Sequence, residues 1–517
     1  MSNAGSSASD SPNAGIGILP RIGFFAGPIL ALTIFFSLDA FAQSLSRPAC
    51  ATAAVAVLMA VWWMSEAIPL EATSLLPLVL LPLTGGAKSF QAAAVPYAEK
   101  SIFLYLGGFM LALAVERWGL HRRVALLTLL AAGTRPAMLV GGFMLATAGI
   151  SLWISNTATA VMMLPIGLAV VQLAEQRLSA TQGAGVLTKN LVGSTDATHF
   201  SAALLLGIAY AASLGGMGTL IGTPPNVFFR SFLEEKGISI GFGQWMLFAL
   251  PVVIVFLLIA WLLLTKLLFP VRLAEIPGGR ELVRNELAKL GQVSRGEWTV
   301  LAVFVLAAMG WVFRDGLADW EWFASRFPLV KVVDDSVIAM SAAVALFLLP
   351  INFSKGIFAL DWQTANRLPW GVLLLFGGGL SLSKAIEETK LADWIGTQVL
   401  GLHYLPTPVL IILVVAGVVF FSEMASNLAT ATALLPILYQ IAIGLKLDPL
   451  LLCVPAILAA SCGFMLPVAT PPNAIVFGTG RLTIRQMVSA GIVLDLVGIV
   501  LITAATYLLG WILGIRF

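Results

Sequence analysis

The chain has 517 residues, of which 59% are hydrophobic and only 11% carry a charge. This composition, with a mean hydropathy of +0.96, excludes a water-soluble globule that hides its apolar side chains in one core. The formal net charge of +3 is small and spread over the loops, so it does not indicate a nucleic-acid partner. Three cysteines without metal-ligand spacing give neither a metal site nor a disulfide framework. The sequence therefore predicts a polytopic membrane protein.

The predicted elements begin after residues 1–15, which are small and polar and read as a disordered leader. A helix needs about 20 mainly apolar residues to cross about 30 Å of hydrocarbon. We interpret eleven apolar stretches as spans, although several are short or are broken by Gly and Pro. They are 19–42, 51–68, 72–84, 101–116, 200–229, 243–269, 298–317, 336–350, 368–384, 450–478 and 486–514. Two further segments, about 136–176 and 407–445, are better explained as re-entrant hairpins.

One phrase is repeated in the middle of both hairpin segments. It reads SLWISNTATAVMMLPI at 151–166 and SEMASNLATATALLPI at 422–437. A bilayer offers no water to polar atoms, so a Ser-Asn pair inside it needs protein partners or a polar guest. A single such pair would be typical of helix packing, but the same pair at the same place in both halves predicts a guest held between two inverted repeats.

A second motif follows each phrase, GTPPN at 222–226 and ATPPN at 469–473. Two consecutive prolines remove two backbone donors, and the residue before each is driven out of the helical conformation. Both spans must therefore unwind, although a lone Thr-Pro-Pro would be typical of a simple kink. Unwinding at mid-membrane is tolerated where the freed backbone groups line a cavity or hold an ion, so we expect both hairpin tips and both breaks to converge on one site.

We expect no Lys or Arg near the motif in either hairpin or in either broken span. An anionic guest would then be neutralised by helix N-termini, by Asn, Ser and Thr donors, and by bound cations. The freed carbonyls and side-chain oxygens suit a hard cation such as sodium. For Glu423, just before the second tip, both ion or proton coupling and a structural hydrogen bond stay open. Glu66 and Glu71 are interpreted as marking a helix end at the membrane interface.

Basic residues indicate the orientation of the chain. If eleven spans are threaded in order, the Lys and Arg clusters near 117–123, 272–295, 355–367 and 481–485 fall on one side, and the positive-inside rule makes that side cytoplasmic. The odd number of spans lets the halves enter the membrane from opposite sides, as an inverted repeat requires. An enzyme is not indicated, because the sequence shows no nucleophile and base pair, metal cluster or phosphate loop.

Together with both Ser-Asn tips and both TPPN breaks, three further stretches make the chain similar to the divalent anion:sodium symporter family. They are VWWMSEAIPLEATSLLPL, YLGGFMLALAVERWGL and its counterpart LLFGGGLSLSKAIEETKL. The resemblance covers essentially the whole chain after residue 15. It implies an all-α homodimer in the bacterial inner membrane, with eleven transmembrane helices and two re-entrant hairpins per protomer arranged as an elevator-type transporter.

The same resemblance implies a division of the chain. Residues 16–135 and 298–405 would form the scaffold, whereas 136–270 and 406–517, each a hairpin and two spans, would form the transport part. Residues 271–297 would be a cytoplasmic connecting loop.

Site residues also follow from the resemblance. One sodium ion would use Ser151, Ser155, Asn156 and Gly222, and a second would use Ser422, Ala425, Asn427 and Ala469. The substrate would meet Asn156, Thr157, Thr223, Asn427, Thr470 and Pro471. Where the family commonly has Ser-Asn-Thr at both tips, this chain has Leu428 after the second Ser-Asn pair, which replaces a hydroxyl donor with apolar bulk.

The implied function is import of a di- or tricarboxylate of the succinate, malate and fumarate class, coupled to sodium. No other cofactor is expected. Sodium-independent exchange of dicarboxylates, or symport of sulfate or citrate, stays open as the alternative. A channel is disfavoured, because closed hairpin tips suit occlusion and alternating access better than an open path.

Overall fold

The computed structural model describes residues 18–42, 44–133, 135–182, 189–271, 279–398 and 405–516; the predicted leader lies outside them. The first half of the described chain contains α1 (Ile18–Phe41), α2 (Arg47–Ser65), α3 (Leu70–Thr73), α4 (Leu76–Thr84), α5 (Phe90–Ala94), α6 (Lys100–Arg117), α7 (Leu120–Ala132), α8 (Pro136–Ser151), α9 (Asn156–Gln182), α10 (Lys189–Gly216), α11 (Pro224–Glu235) and α12 (Phe242–Leu262). A short π-helical stretch, Leu263–Leu268, extends the last of these.

The second half of the described chain also contains twelve α-helices. It contains α13 (Gly279–Lys289), α14 (Arg295–Asp319), α15 (Glu321–Arg326), α16 (Asp335–Leu348), α17 (Trp362–Ala365), α18 (Trp370–Glu388), α19 (Leu391–Gln398), α20 (Thr407–Met424), α21 (Asn427–Gly444), α22 (Leu450–Ala459), α23 (Pro471–Phe477) and α24 (Ile484–Leu509). A small antiparallel ribbon, β1 (Pro350–Asn352) with β2 (Ile357–Phe358), was not predicted. The helical membrane fold is confirmed.

Nine helices among the described residues are long and apolar enough to cross a membrane, which makes the chain a multi-pass membrane protein. Three of them, α9, α20 and α21, fall in the two segments that are predicted to be re-entrant hairpins. Several predicted spans instead correspond to shorter apolar segments, such as Asp335–Leu348 and Leu450–Ala459. The count of eleven spans therefore stays a prediction.

Both predicted hairpins and both predicted breaks are present. The chain turns between α8 and α9 at 152–155, and between α20 and α21 at 425–426. The breaks are longer than the motifs that predict them, because the chain leaves the helical path at 217–223 and 460–470 before α11 and α23 begin at their first prolines. Proline suits the first position of a helix, where its missing N–H would have no helical partner.

Packing brings the two halves together. The hairpin helix α9 and the span α10 contact α23, while α11 contacts α21, so each half supplies the neighbours of the other half's broken span. Elsewhere α6 lies directly against α16. At Gly107 a Cβ atom would be 2.5 Å from the carbonyl carbon of Ala339, so only glycine permits this approach.

A buried ion network joins α11 to α16. The Arg230 guanidinium lies 2.8 Å from the Asp335 carboxylate and 3.1 Å from that of Glu234. The Asp335 side chain is only 1% exposed, and Arg314 of α14 approaches its other oxygen at 3.4 Å. Buried charges are tolerated when they are paired, and loss of one partner leaves the other uncompensated in a low dielectric.

We expect Arg230→Met to destabilise the protein by about 3–5 kcal/mol, because Asp335 and Glu234 lose their shared cation. The double variant Arg230→Met/Asp335→Leu should recover part of that loss, since it removes the Asp335 carboxylate, while Glu234 keeps only Lys100 at 3.8 Å. The midpoint of thermal unfolding of the purified protein in detergent measures both effects. Arg122→Met is the control, because Arg122 is 44% exposed in its pair with Glu286 and surface pairs contribute about 0–1 kcal/mol. A double variant no more stable than the single one would contradict this account.

Candidate functional site

A cavity of about 570 Å³ lies where the two hairpin tips and the two breaks meet. Its walls combine residues of both halves: Ser155, Asn156, Thr157, Thr223, Pro224 and Pro225 from the first, and Ser426, Asn427, Leu428, Ala469, Thr470, Pro471 and Pro472 from the second. The predicted convergence of the four motifs is therefore present. All six residues expected to meet the substrate line this one cavity.

Helix N-termini face the cavity. The hairpin helices α9 and α21 begin at Asn156 and Asn427, and α11 begins at Pro224. The first N–H groups of a helix have no intrahelical partner, and the aligned peptide dipoles make this end positive. In α11 the two prolines supply no N–H at the first two positions. The hairpin tips are therefore the richer source of backbone donors, and this wall favours an anion.

Behind each tip, a serine, an asparagine and a backbone carbonyl form a cluster of oxygens. Ser151 Oγ lies 2.7 Å from both Asn156 Oδ1 and the Ala212 carbonyl. In the second half, Ser422 Oγ lies 2.9 Å from Asn427 Oδ1 and 2.7 Å from the Ala460 carbonyl. A hydroxyl has one proton and donates to one acceptor at a time. Each cluster therefore has more lone pairs than protons, the arrangement that a hard cation completes.

The unwound backbone lies beside these clusters. A Cβ atom on Gly222 would be 2.5 Å from the Gly216 carbonyl oxygen, and one on Gly216 would be 2.5 Å from Asn156 Oδ1. In the second half, a Cβ on Gly463 would be 3.1 Å from that of Ala469 and 3.6 Å from Asn427 Oδ1. Gly216 therefore lies between Gly222 and Asn156, and Gly463 lies between Ala469 and Asn427; the assignment of Gly222 and Ala469 to sodium stays a prediction. Ser151, Ser422 and Ala425 are buried behind the cavity wall.

The last asparagine of each TPPN motif has a role that sequence reasoning did not assign. Asn226 Nδ2 donates to the carbonyls of Met217 and Thr219 at 3.2 and 2.8 Å. Asn473 Nδ2 donates to those of Gly463 and Leu466, both at 3.0 Å. Each amide closes its own unwound loop and satisfies carbonyls that the helix break sets free. The carbonyls that each asparagine binds lie seven to ten residues before it in the sequence. The only signal in the sequence was the repetition of this asparagine in both TPPN motifs.

Glu66 and Glu71 mark helix ends, as predicted, and also line the cavity. Glu66 is the C-cap of α2, and Glu71 lies in the first turn of α3. Arg230 contradicts the expectation of no Lys or Arg near the motifs, because it stands one turn after the first TPPN motif. It belongs to the ion network with Asp335 and is not part of the cavity wall. Among the described residues, no cluster of three or more His, Cys, Asp or Glu side chains is placed to hold a metal. A cation at the tips would therefore be held by neutral oxygens.

Comparisons with known proteins agree with this geometry. Residues 28–515 match the family described as "Sodium:sulfate symporter transmembrane region". The chain is 41% identical over 492 residues to the sodium-dependent dicarboxylate transporter SdcS of Staphylococcus saprophyticus, covering 94% of this chain and 91% of that one. It is 40% identical over 498 residues to SdcS of Staphylococcus aureus strain USA300, covering 96% and 92%.

The fold also has a solved counterpart. The crystal structure of the Alcanivorax borkumensis YdaH transporter aligns with a TM-score of 0.53 at 14% identity, covering 89% of this chain and 99% of that one. At this identity the likeness concerns the fold alone. The family match spans nearly the whole chain, and it includes both hairpins and both breaks. The chain therefore belongs to the sodium:sulfate symporter family of transmembrane transporters, as its motifs predicted, and not to a class of enzymes.

Proposed function

We propose that this chain is a secondary active transporter of the plasma membrane that imports a small dicarboxylate together with sodium. The observation that carries the proposal is the convergence of two equivalent Ser-Asn tips and two proline breaks on one cavity. The two relatives are both named for sodium-dependent dicarboxylate transport, which supports the same substrate class and the same coupling ion.

In this proposal each half of the chain holds one sodium ion. The first uses oxygen atoms of Ser151, Ser155, Asn156 and Gly222, and the second those of Ser422, Ala425, Asn427 and Ala469, with Gly222, Ala425 and Ala469 contributing backbone carbonyls. The support is the excess of acceptors over protons in both clusters. Two cations at these positions would offset the charge of a dianion in a cavity whose wall has no Lys or Arg and includes the carboxyl groups of Glu66 and Glu71.

The substrate would lie between the tips. One carboxylate would accept hydrogen bonds at the first tip from Asn156 and Thr157, and the other would lie at the second tip near Asn427. Thr223, Thr470 and Pro471 would complete the walls at the two breaks. Because Leu428 takes the place of a second hydroxyl, the two ends of the substrate meet unequal partners.

Transport would move the two hairpins and broken spans, residues 136–270 and 406–517, as one part against a scaffold of 16–135 and 298–405. The cross-packing of α9 and α10 on α23, and of α11 on α21, supports joint movement of both halves of the site. The ion pair between Arg230 and Asp335 would then separate and re-form during the cycle. Family resemblance supports a homodimer.

Uptake of labelled succinate into proteoliposomes tests the proposal. An inward sodium gradient should drive accumulation, and collapse of that gradient should abolish it. Accumulation that is independent of sodium but requires preloaded succinate or 2-oxoglutarate would instead establish an exchanger. Competition by sulfate and citrate in the same assay separates dicarboxylate transport from the other substrates of the family.

We expect Asn156→Ala and Asn427→Ala each to abolish transport, because each amide serves a cation and the substrate together and its loss leaves buried partners unsatisfied. Sodium-driven succinate uptake measures the effect, and size-exclusion chromatography confirms that the variants are folded. The matched control is Asn352→Ala, since Asn352 caps a loop turn away from the cavity. Near wild-type uptake by both tip variants would show that the repeated phrase is not the binding site.

Sodium should strengthen succinate binding, since the bound cations and the dianion stabilise each other and such coupling is reciprocal. Succinate affinity of the purified protein, measured by calorimetry in sodium and in choline buffers, should differ by about 5- to 150-fold, the usual range for a coupling free energy of 1–3 kcal/mol. Equal affinities in the two buffers would contradict sodium coupling.

Replacement of Leu428 by threonine should raise affinity for small dicarboxylates by about tenfold, because one hydrogen bond to a charged group contributes about 1.5–3 kcal/mol. The reciprocal variant Thr157→Leu should lower it to a similar extent. Competition assays with succinate, citrate and sulfate on both variants measure the change. An unchanged selectivity order and unchanged affinities in Leu428→Thr would mean that this side chain, only 7% exposed, serves hairpin packing alone.

A further inference from the structure

The two unwound segments differ in exposure. Val468, just before the ATPPN motif, lies on the cavity wall and is 72% exposed, whereas Ile221, at the same place before the GTPPN motif, is 6% exposed. Glu66 and Glu71, which line the cavity as well, are also exposed. The cavity therefore opens on the side of Val468.

Helix α11 closes the cavity in the other direction. It begins at Pro224 on the cavity wall, and Lys236, its C-cap, forms an ion pair with Glu387 in the last turn of α18. Gly371, in the first turn of α18, lies against Glu71 at the opening. These two turns are about 24 Å apart at 1.5 Å per residue. The apolar side chains of α11 along this path are at most 1% exposed: Val227, Phe228, Phe229, Phe232 and Leu233.

Basic residues assign these two ends to the two sides of the membrane. One span, Phe242–Leu268, separates Lys236 from the connecting loop 271–297, which carries several Lys and Arg residues. The positive-inside rule makes that loop cytoplasmic, so Lys236 is extracellular and the cavity opens to the cytoplasm. Because the halves of an inverted repeat exchange roles during alternating access, we expect Ile221 to become exposed when the cavity opens outward.

Three ion pairs among the described residues join α11 and its C-cap to the proposed scaffold. In two of these pairs the scaffold residue, Lys100 or Glu387, has a side chain that is more than half exposed, at 55% and 59%, and exposed pairs contribute little. The side chains of Arg230 and Asp335 are 7% and 1% exposed, so their pair dominates the contact. The three pairs are Lys100–Glu234, Arg230–Asp335 and Lys236–Glu387, with the scaffold residues on α6, α16 and α18.

Each ion of the dominant pair has a second partner on its own side. Arg230 lies 3.1 Å from Glu234 within α11, and Asp335 lies 3.4 Å from Arg314 of the scaffold helix α14. If α11 moves away from α16, Arg230 stays with Glu234 and Asp335 stays with Arg314. A buried pair without such second partners would leave uncompensated charges when it separates, which is strongly unfavourable. This network can therefore be opened and re-formed.

We propose that the ion network is a reversible latch on the extracellular side, which holds the transport part in the inward-open position and divides into two neutral pairs when that part moves. The boundary between the two parts comes from the proposed function, on which this inference rests. At the cytoplasmic end, Arg481 pairs with Glu175 within the transport part, so this pair does not resist separation of the two parts. The network therefore favours the inward-open state at rest.

Side-specific labelling of cysteines tests the latch without any transport assay. The three native cysteines are buried, so Val468→Cys and Ile221→Cys each add one thiol that reports on one side of the membrane. A membrane-impermeant maleimide should label Val468→Cys rapidly in inside-out vesicles and Ile221→Cys slowly in right-side-out vesicles. Rapid labelling of Ile221→Cys without any further substitution would overturn the inference.

Two substitutions in the network should change the labelling rate of Ile221→Cys in opposite directions. Asp335→Asn leaves Arg230 with Glu234 and weakens the latch, so the rate should rise about tenfold, the effect of losing one hydrogen bond to a charged group. Arg314→Gln removes the cation that stays with Asp335 when the parts separate, so the rate should fall. Because labelling is irreversible, slow rates can be followed over hours.

Asp361→Asn is the matched control. Asp361 pairs with Arg117 at 2.7 Å within the scaffold, and asparagine preserves its role as a helix N-cap, so the labelling rate should stay within about twofold of the parent. The side chain of Arg314 is 22% exposed, so Arg314→Gln is expected to fold and to decide the question even where Asp335→Asn does not fold.

The outcomes separate the latch from the proposed function. A labelling rate that does not fall in Arg314→Gln, or that changes equally in Asp335→Asn and Asp361→Asn, would overturn the latch even if succinate uptake by the wild type is normal. A wild type that does not accumulate succinate would contradict the proposed function, and the labelling rates would still decide whether the latch exists.

Discussion

Every backbone N–H and C=O group inside a bilayer needs a partner, and the rest of this structure depends on how the chain meets that constraint at four deliberate interruptions. Two hairpin turns and two proline breaks free polar groups that a continuous helix would have satisfied. The chain brings all four interruptions to one cavity, where asparagine amides bind carbonyls that the breaks set free and where, in our proposal, the substrate and its co-ions would bind others. A single break in the membrane would leave its backbone polar groups without partners, which is unfavourable. Four interruptions that share one polar cavity can supply hydrogen-bond partners to one another.

The two halves solve this problem with similar parts in unequal ways. Both use a serine, an asparagine five positions later and a backbone carbonyl to form an oxygen cluster, and both use the asparagine of TPPN to close the unwound loop. They differ at the tip, where Leu428 takes the place of Thr157, and behind the tip, where Glu423 takes the place of Leu152. Because the repeat is imperfect at these two positions, the two ends of the proposed dianion would meet different chemistry.

Most of the architecture was predictable from the sequence because its signals are local. The repeated phrase and the paired prolines predicted both hairpins and both breaks, since proline acts on the backbone whatever surrounds it. Contacts between distant segments were not predictable in the same way. Two examples are the pairing of Arg230 with Asp335 and the position of Glu66 and Glu71 on the cavity wall. Both depend on how the two halves pack. Glu423 was recognisable as unusual, but its three backbone partners lie more than forty residues away along the chain.

The most direct measurement of the central claim is a high-resolution structure of the protein in sodium and succinate. The account predicts density for the dianion between Asn156 and Asn427, and one further peak at each Ser-Asn cluster, beside Ser151 and beside Ser422. All three densities should be lost when choline replaces sodium. Succinate bound elsewhere in the protein, or bound at the tips with equal occupancy in choline, would contradict the claim that two half-sites hold the substrate and its co-ions together.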